Sequence, residues 1–302
     1  MPLGLGCWAF GGMDWGTQND SDSIAAIKTA FHHGITHFDT AQVYGKGHSE
    51  EILGKALKPY RDKVFIASKT ALRPREKVLP SIELSLRRLK TDYIDLFYIH
   101  WPRVNGDLEG MMEGLEVARD KGLIRLVGVS NFSIEQLQRV SRVGKVDVHQ
   151  ICYNLLWRWP EEQMISYCQS QGIAIITYSS LAQGILTGKF QDNVQFAEGD
   201  HRKNIVFFED LIWPKIFDGV NRLKTIAAQT EFTLTELAIR WVASRSGVKT
   251  VLVGVRDSNQ VKQNINSFSK KIPPDILEKL TQVSDLLIKE IPDTGNIFRY
   301  YP

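Results

Sequence analysis

Four polar side chains close short apolar runs at nearly equal intervals along the chain. Asp39, Lys69, His100 and Asn131 follow one another at about 30 residues, the length of one strand–helix unit. If each run is a strand of a closed parallel barrel, the four groups share one height and point into one mouth. Ser130 sits beside Asn131, and the next two runs add Gln150 and then Tyr178-Ser179. Singly, each has an ordinary explanation: a turn or cap for the aspartate, solvation for the lysine, packing for the histidine. Their coincidence at one level carries the chemical reading.

Lys69 and Asp39 at one mouth would form an ion pair. A tyrosine beside that lysine is expected to have its pKa lowered from about 10, because a cation favours the phenolate. Tyr44 lies on the segment leaving the Asp39 run and can fold back over the mouth. Such a tyrosine can protonate an oxygen near neutral pH. His100 can hydrogen-bond the same oxygen and polarise it. This is machinery for an oxygen that gains negative charge as a carbonyl is reduced. None of these groups supplies an electron pair, so a hydride-carrying cofactor is required.

The elements that must position these residues are legible. Strand-like runs fall at 3–8, 36–39, 64–69, 94–100, 124–129, 148–152, 173–178 and 250–254. Several are apolar throughout, as expected of parallel strands covered on both faces. Amphipathic helical segments lie between them. Asp20-Ser21-Asp22 opens one, Ser49 opens another that Pro59 closes, and Ser133 and Thr233 begin capping boxes. This alternation predicts an α/β fold, a (β/α)8 TIM barrel with a closed eight-stranded parallel sheet. An open doubly wound sheet binding a dinucleotide would show G-x-G-x-x-G after an early strand. Neither Gly4-Leu5-Gly6 nor Gly45-Lys46-Gly47 continues that pattern. With no linker or low-complexity stretch, residues 1–302 read as one domain. The polar, unperiodic segment 186–213 reads as a long functional loop.

Bulk properties exclude several classes. The 302 residues are 43% hydrophobic and 24% charged, with a net charge of +3. That composition is globular, and the charge is too small to argue for nucleic acid. Three scattered cysteines, Cys7, Cys152 and Cys168, make neither a disulfide framework nor a zinc knot. No apolar run approaches the ~18–20 residues of a membrane span, and Met1-Pro2-Leu3-Gly4 lacks signal-peptide character. The expectation is a soluble cytoplasmic protein, monomeric or weakly self-associating, without membrane or nucleic-acid partners.

Gly34-Ile35-Thr36-His37-Phe38-Asp39-Thr40-Ala41-Gln42-Val43-Tyr44-Gly45 resembles the signature of the aldo-keto reductase family. Asp92-Tyr93-Ile94-Asp95-Leu96-Phe97-Tyr98-Ile99-His100-Trp101-Pro102 and Gly128-Val129-Ser130-Asn131-Phe132 resemble further family motifs. So does Tyr178-Ser179-Ser180-Leu181-Ala182-Gln183-Gly184 with Leu186-Thr187-Gly188-Lys189-Phe190. The resemblance extends from about residue 3 to about residue 264, and Gln183-Gly184 with Asp200-His201-Arg202 points to bacterial-type members. It implies an NADP(H)-dependent oxidoreductase that reduces a small aldehyde or ketone to an alcohol. Carried over by position, Tyr44 is the proton donor, Lys69 and Asp39 tune it, and His100 orients the substrate. Ser130, Asn131 and Gln150 would hold the nicotinamide carboxamide, and Tyr178 would stack on its ring. Ser179, Leu181, Gln183 and Gly184 would line the pyrophosphate path. Gly254, Arg256, Gln260 and Asn264 would meet the adenosine end, and Gly6, Trp8 and Asp39 complete the cofactor set. Trp8, Tyr44, His100 and Trp101 would form the substrate pocket.

The chain departs from the family at the 2′-phosphate site, where Arg256-Asp257 replaces two basic groups. Arg256 can still make a bidentate phosphate contact, while an inward Asp257 would weaken the field. NADPH is therefore the expected cofactor, with NADH as the alternative. Two other functions fit parts of the sequence. One is a cofactor-binding regulatory subunit resembling potassium-channel β subunits, with little turnover. The other is a barrel isomerase using Lys69 and His100, which would turn over without nicotinamide. Among residues outside the site, His32, His33 and His37 are not expected to bind metal. Trp157 and Trp159 suit barrel packing as well as a pocket, and Arg87-Arg88 is expected to face solvent.

Overall fold

The computed structural model describes residues 1–13, 16–103 and 105–299. Eight parallel strands close into a barrel in sequence order. They are β1 Leu3–Gly6, β2 His37–Asp39, β3 Phe65–Thr70, β4 Ile94–Ile99, β5 Ile124–Ser130, β6 Val148–Cys152, β7 Ala174–Tyr178 and β8 Val248–Gly254. β8 closes on β1, with Gly6 opposite Gly254. The helices that cover the barrel are α1 Asp20–His32, α2 His48–Leu57, α3 Val78–Leu89, α4 Leu108–Asp120, α5 Ile134–Val140, α6 Met164–Ser170, α7 Trp213–Ala228, α8 Leu234–Ala243, α9 Ser258–Asn266 and α10 Pro274–Leu287. The eight expected runs are all strands, with shifted ends. β1 stops at Gly6 because Trp8 already begins a 3-10 turn, Trp8–Gly11.

Strand alternation aims the polar residues. Ala67, Leu96, Tyr98, Val148, Ile176 and Leu252 pack on one another inside the barrel. The residues between them, such as Ile66, Phe97 and Val127, belong to the core beneath the helices. Side chains two apart on a strand share a face. Lys69 therefore follows Ala67 inward, His100 follows Tyr98, Gln150 follows Val148, and Tyr178 follows Ile176. Gly128 leaves the room that the Tyr98 ring fills, since a Cβ there would lie 2.3 Å from the ring.

The capping boxes at Ser133 and Thr233 are formed. Two other helix starts differ from expectation. Asn19, not Asp20, caps α1 by accepting from the Ser21 amide. Ser49 does not open α2; the helix follows Gly47, whose φ is 101°. Ser49 instead points inward and donates to the Cys7 carbonyl at 2.7 Å. Arg88 is also corrected. It pairs with the fully buried Glu50 at 3.2 Å, because an isolated buried carboxylate needs a cation or donors. The 186–213 segment is exposed over much of its first half, but Ile205, Val206 and Phe207 pack into the core. Among the described residues no helix is long and apolar enough to cross a membrane.

Candidate active site

The connection after β2 carries Tyr44 to the mouth. It first continues the ladder with β3, through Thr40 N–H to Ala67 O and Gln42 N–H to Lys69 O, both 2.9 Å. The Gln42 carboxamide then anchors it from behind. Its nitrogen donates to Ser81 O at 2.7 Å and Ser85 Oγ at 2.8 Å, and its oxygen accepts from Thr70 Oγ1 at 2.6 Å. Next, Gly45 takes φ 57° and passes against Gly11; a Cβ on Gly45 would lie 2.2 Å from Gly11 O. Only glycine allows both that conformation and that approach. The turn leaves Tyr44 half-buried over the barrel end.

Lys69 is the hub. Its ammonium donates to Asp39 Oδ1 at 2.5 Å, to Thr40 O at 2.7 Å and to Tyr44 Oη at 3.5 Å. These contacts use all three donors of the group, and its side chain is 0% exposed. The second Asp39 oxygen accepts from Gln150 Nε2 at 2.9 Å, so the carboxylate is satisfied on both sides. The His100 ring meets the Tyr44 ring edge-on, with centroids 5.8 Å apart.

The electrostatics correct one expectation. Burial pushes the Tyr44 phenol above its ordinary pKa, and Lys69, acting downward, does not overcome it. Desolvation penalises the phenolate as the ring is buried, and here it exceeds the attraction of the cation. Burial also works against the Lys69 ammonium, but Asp39 and Tyr44 outweigh it and hold Lys69 above its ordinary value. Burial, helped by repulsion from Lys69, holds His100 well below the usual histidine range. At neutral pH the mouth thus contains a protonated phenol, a neutral imidazole and a charged lysine.

The expected nicotinamide residues are brought together, linked to one another. Asn131 adopts φ 64°, a conformation asparagine tolerates. Its Oδ1 accepts from Tyr178 Oη at 2.7 Å, and its Nδ2 donates to Ser130 Oγ at 2.9 Å. Ser130 Oγ in turn donates to Gln150 O at 3.1 Å. The next stretch is unusual backbone: Ser179, Ala182, Gln183 and Gly184 all have positive φ. The turn is held from within, Ala182 N–H donating to Ser179 O at 2.7 Å and Gly184 N–H to Leu181 O at 2.9 Å. Gln183 donates to Ser179 Oγ, while its buried Oε1 has no protein partner. Leu181 is half-buried on the same turn.

The seam between β1 and β8 has a floor without side chains. A Cβ on Gly254 would meet nothing nearer than Gly6 O at 3.9 Å. Beyond it lie exposed Arg256, Gln260, whose Oε1 accepts from Arg256 N at 3.0 Å, and buried Asn264 on α9. The bare floor and the orphaned Gln183 oxygen fit a dinucleotide at this end of the barrel. Asp257 turns to its own helix, accepting from Asn259 N at 2.8 Å and Gln260 N at 2.9 Å.

Several further residues stand at the site for which no individual role was expected. Lys189 comes within 3.4 Å of the position a Gly184 Cβ would occupy. Partial burial, with repulsion from Arg202 and Arg256, holds its ammonium below the ordinary lysine value, so three cations share this end. Phe298 forms part of an aromatic rim. It lies 6.0 Å from Trp8, 6.1 Å from Trp101 and, nearly parallel, 6.5 Å from Tyr178. His201 stands 4.4 Å from Trp8, which stacks 5.6 Å from Tyr44. The available signal was aromatic and basic residues within otherwise polar segments.

The model of the aldo/keto reductase family matches residues 2–285. An aldo-keto reductase, YhdN, of Bacillus subtilis is 38% identical over 86% of this chain and 82% of its own length. An NADH-specific methylglyoxal reductase of Escherichia coli is 30% identical over 88% of this chain and 89% of its own. Among solved structures, an aldo-keto reductase from Klebsiella pneumoniae in complex with NADPH superposes with a TM-score of 0.76. Its identity is 26%, covering 98% of this chain and 93% of that one.

Proposed function

The chain belongs to the aldo/keto reductase family, and from that membership we propose that it reduces an aldehyde or ketone to an alcohol with Tyr44 as proton donor. The observation that carries this reading is the Lys69 ammonium held between Asp39 Oδ1 and Tyr44 Oη at the barrel mouth. Residues 1–302 act as one domain in this reading. The cofactor is NADPH or NADP+, with NADH a working alternative; the relatives include one named as NADH-specific and one complexed with NADPH.

A reduced nicotinamide, when bound, would supply the hydride; the chain supplies everything else. His100, kept neutral, offers an N–H to the carbonyl oxygen and orients it. Tyr44, kept protonated by burial, gives its proton to that oxygen as negative charge develops there. Lys69 stabilises the phenolate left behind, which is the moment its charge counts most. Asp39 and Gln150 keep Lys69 charged and aimed. Ser130, Asn131, Gln150 and Tyr178 position the nicotinamide, and the 179–184 turn with Lys189 takes the pyrophosphate. Gly254, Arg256, Gln260 and Asn264 line the adenosine end. Trp8, Trp101 and Phe298 form apolar walls around the carbonyl carbon's substituents.

Tyr44→Phe tests the assignment. Turnover of small aldehydes with NADPH should fall by about 10²–10⁴-fold while NADPH binding, followed by fluorescence, is retained. Unchanged turnover would exclude Tyr44 as the acid. Tight NADPH binding with negligible turnover of every aldehyde by the unmodified chain would favour the regulatory-subunit reading. Turnover without nicotinamide would favour the isomerase.

A further inference from the structure

The proposed cofactor site gives no account of how Arg256 is held. Its Nε donates to Gln18 Oε1 at 3.0 Å, and its Nη2 donates to the Thr17 carbonyl. Gln18 Nε2 donates to Arg256 O at 2.8 Å and to Ser23 Oγ at 3.1 Å. The orientation of the Gln18 amide follows, because its nitrogen faces two acceptors and its oxygen must then face the guanidinium. The connection before α1 is thereby fastened to the connection after β8, more than two hundred residues away in sequence.

Nε and Nη2 together form one edge of the guanidinium fork, the parallel donor pair with which arginine grips a phosphate. Here that edge is taken by two neutral oxygens. The surrounding groove is lined by Thr17, Gln18, Asn19, Asp22, Arg256 and Asp257, so its lining carries two carboxylates and one guanidinium. The first free amides of α9, where an anion would otherwise be favoured, are already met by Asp257.

We propose that Gln18, together with the Thr17 carbonyl, is a specificity-determining clamp that holds Arg256 away from a 2′-phosphate. This deepens the dinucleotide reading and rests on it. A nucleotide with a free 2′-hydroxyl binds with the clamp closed. One with a 2′-phosphate that grips the Nε/Nη2 edge must displace the oxygens of Gln18 and Thr17 from it. The clamp therefore narrows any preference for NADPH over NADH, and Gln18 sets by how much.

The test is calorimetric titration of 2′,5′-ADP and 5′-AMP, which needs no turnover. Gln18→Ala should tighten 2′,5′-ADP about 3- to 10-fold, the scale of one lost neutral hydrogen bond, and change 5′-AMP by less than about twofold. Gln18→Ala combined with Arg256→Ala should lose that gain. Equal or weaker 2′,5′-ADP binding by Gln18→Ala, or a gain that survives Arg256→Ala, overturns the clamp while leaving the dinucleotide site standing. Failure of the unmodified chain to bind either fragment, NADH or NADPH would instead bring down the dinucleotide site, and the clamp with it. Thermal melts control for folding, and the half-buried and exposed positions of Gln18 and Arg256 favour intact variants.

Discussion

Replacing Lys69 by methionine separates what its charge does for stability from what it does for chemistry. The ammonium lies 3.5 Å from Tyr44 Oη and 2.5 Å from Asp39 Oδ1. At an effective dielectric of about 20, a unit charge at the first distance is worth up to about 5 kcal/mol to a phenolate. This is an upper bound because solvent reaches the half-buried ring. If half of this is felt at the transition state, proton transfer slows by tens- to a hundredfold; losing effective acid catalysis altogether costs about 10²–10⁴. The stability effect has a different origin. Lys69→Met leaves the Asp39 carboxylate buried with Gln150 as its remaining side-chain donor, which should cost about 3–5 kcal/mol. Asp39→Asn together with Lys69→Met removes both charges and should recover most of that loss, since the neutral amide oxygen can still accept from Gln150. It should recover none of the rate. Urea unfolding measures the first quantity and initial rates of NADPH oxidation measure the second. A stable double variant reducing aldehydes at the unmodified rate would refute the role given to Lys69. Single and double variants of equal stability would refute the buried-pair argument.

Other outcomes follow from single contacts. Gly45→Ala forces a side chain into a left-handed residue 2.2 Å from Gly11 O; it should cost more than about 2 kcal/mol and lower kcat as Tyr44 shifts. An unchanged urea midpoint would deny the close approach. Arg88→Leu strips the cation from buried Glu50, leaving Ser68 as its donor at 2.6 Å, and should destabilise by about 3–5 kcal/mol. Adding Glu50→Gln should restore most of the melting temperature. His149 is fully buried, accepts from Phe132 N–H at 3.2 Å, and is pushed down to about 3 by burial. Its folded pKa is depressed, so stability is full above about 6.5 and is lost as the unfolded chain takes up a proton below it. The loss is about 2 kcal/mol by pH 5, and His149→Gln should flatten the stability–pH slope in that range. Equal slopes would show that His149 does not titrate on unfolding.

The barrel and the identity of the mouth residues were readable from the chain because strand alternation and unit length are local properties. A side chain two residues beyond Ala67 or Tyr98 points inward whatever packs around it, so Lys69 and His100 were placed by sequence position. Ser133 and Thr233 cap within one turn and were equally plain. What failed depended on partners distant in sequence. Ser49 and Arg88 belong by pattern to an exposed helix start and a solvated helix face, yet each satisfies a buried group on another element. Phe298 joins the mouth only because the C-terminal segment returns across the barrel end.

The same division runs through the chemistry. Residue types and their spacing determined that an ammonium, a carboxylate and an imidazole share one level, because covalent geometry repeats with each strand–helix unit, whereas the phenol of Tyr44 joins them through the Gln42 anchor and the Gly45–Gly11 approach. Tertiary structure alone decided that burial outweighs Lys69 at Tyr44, and that Arg256 spends its fork on Gln18 and Thr17. Desolvation and Coulomb terms depend on what surrounds a group in space, and neighbours in space are not written as neighbours along the chain.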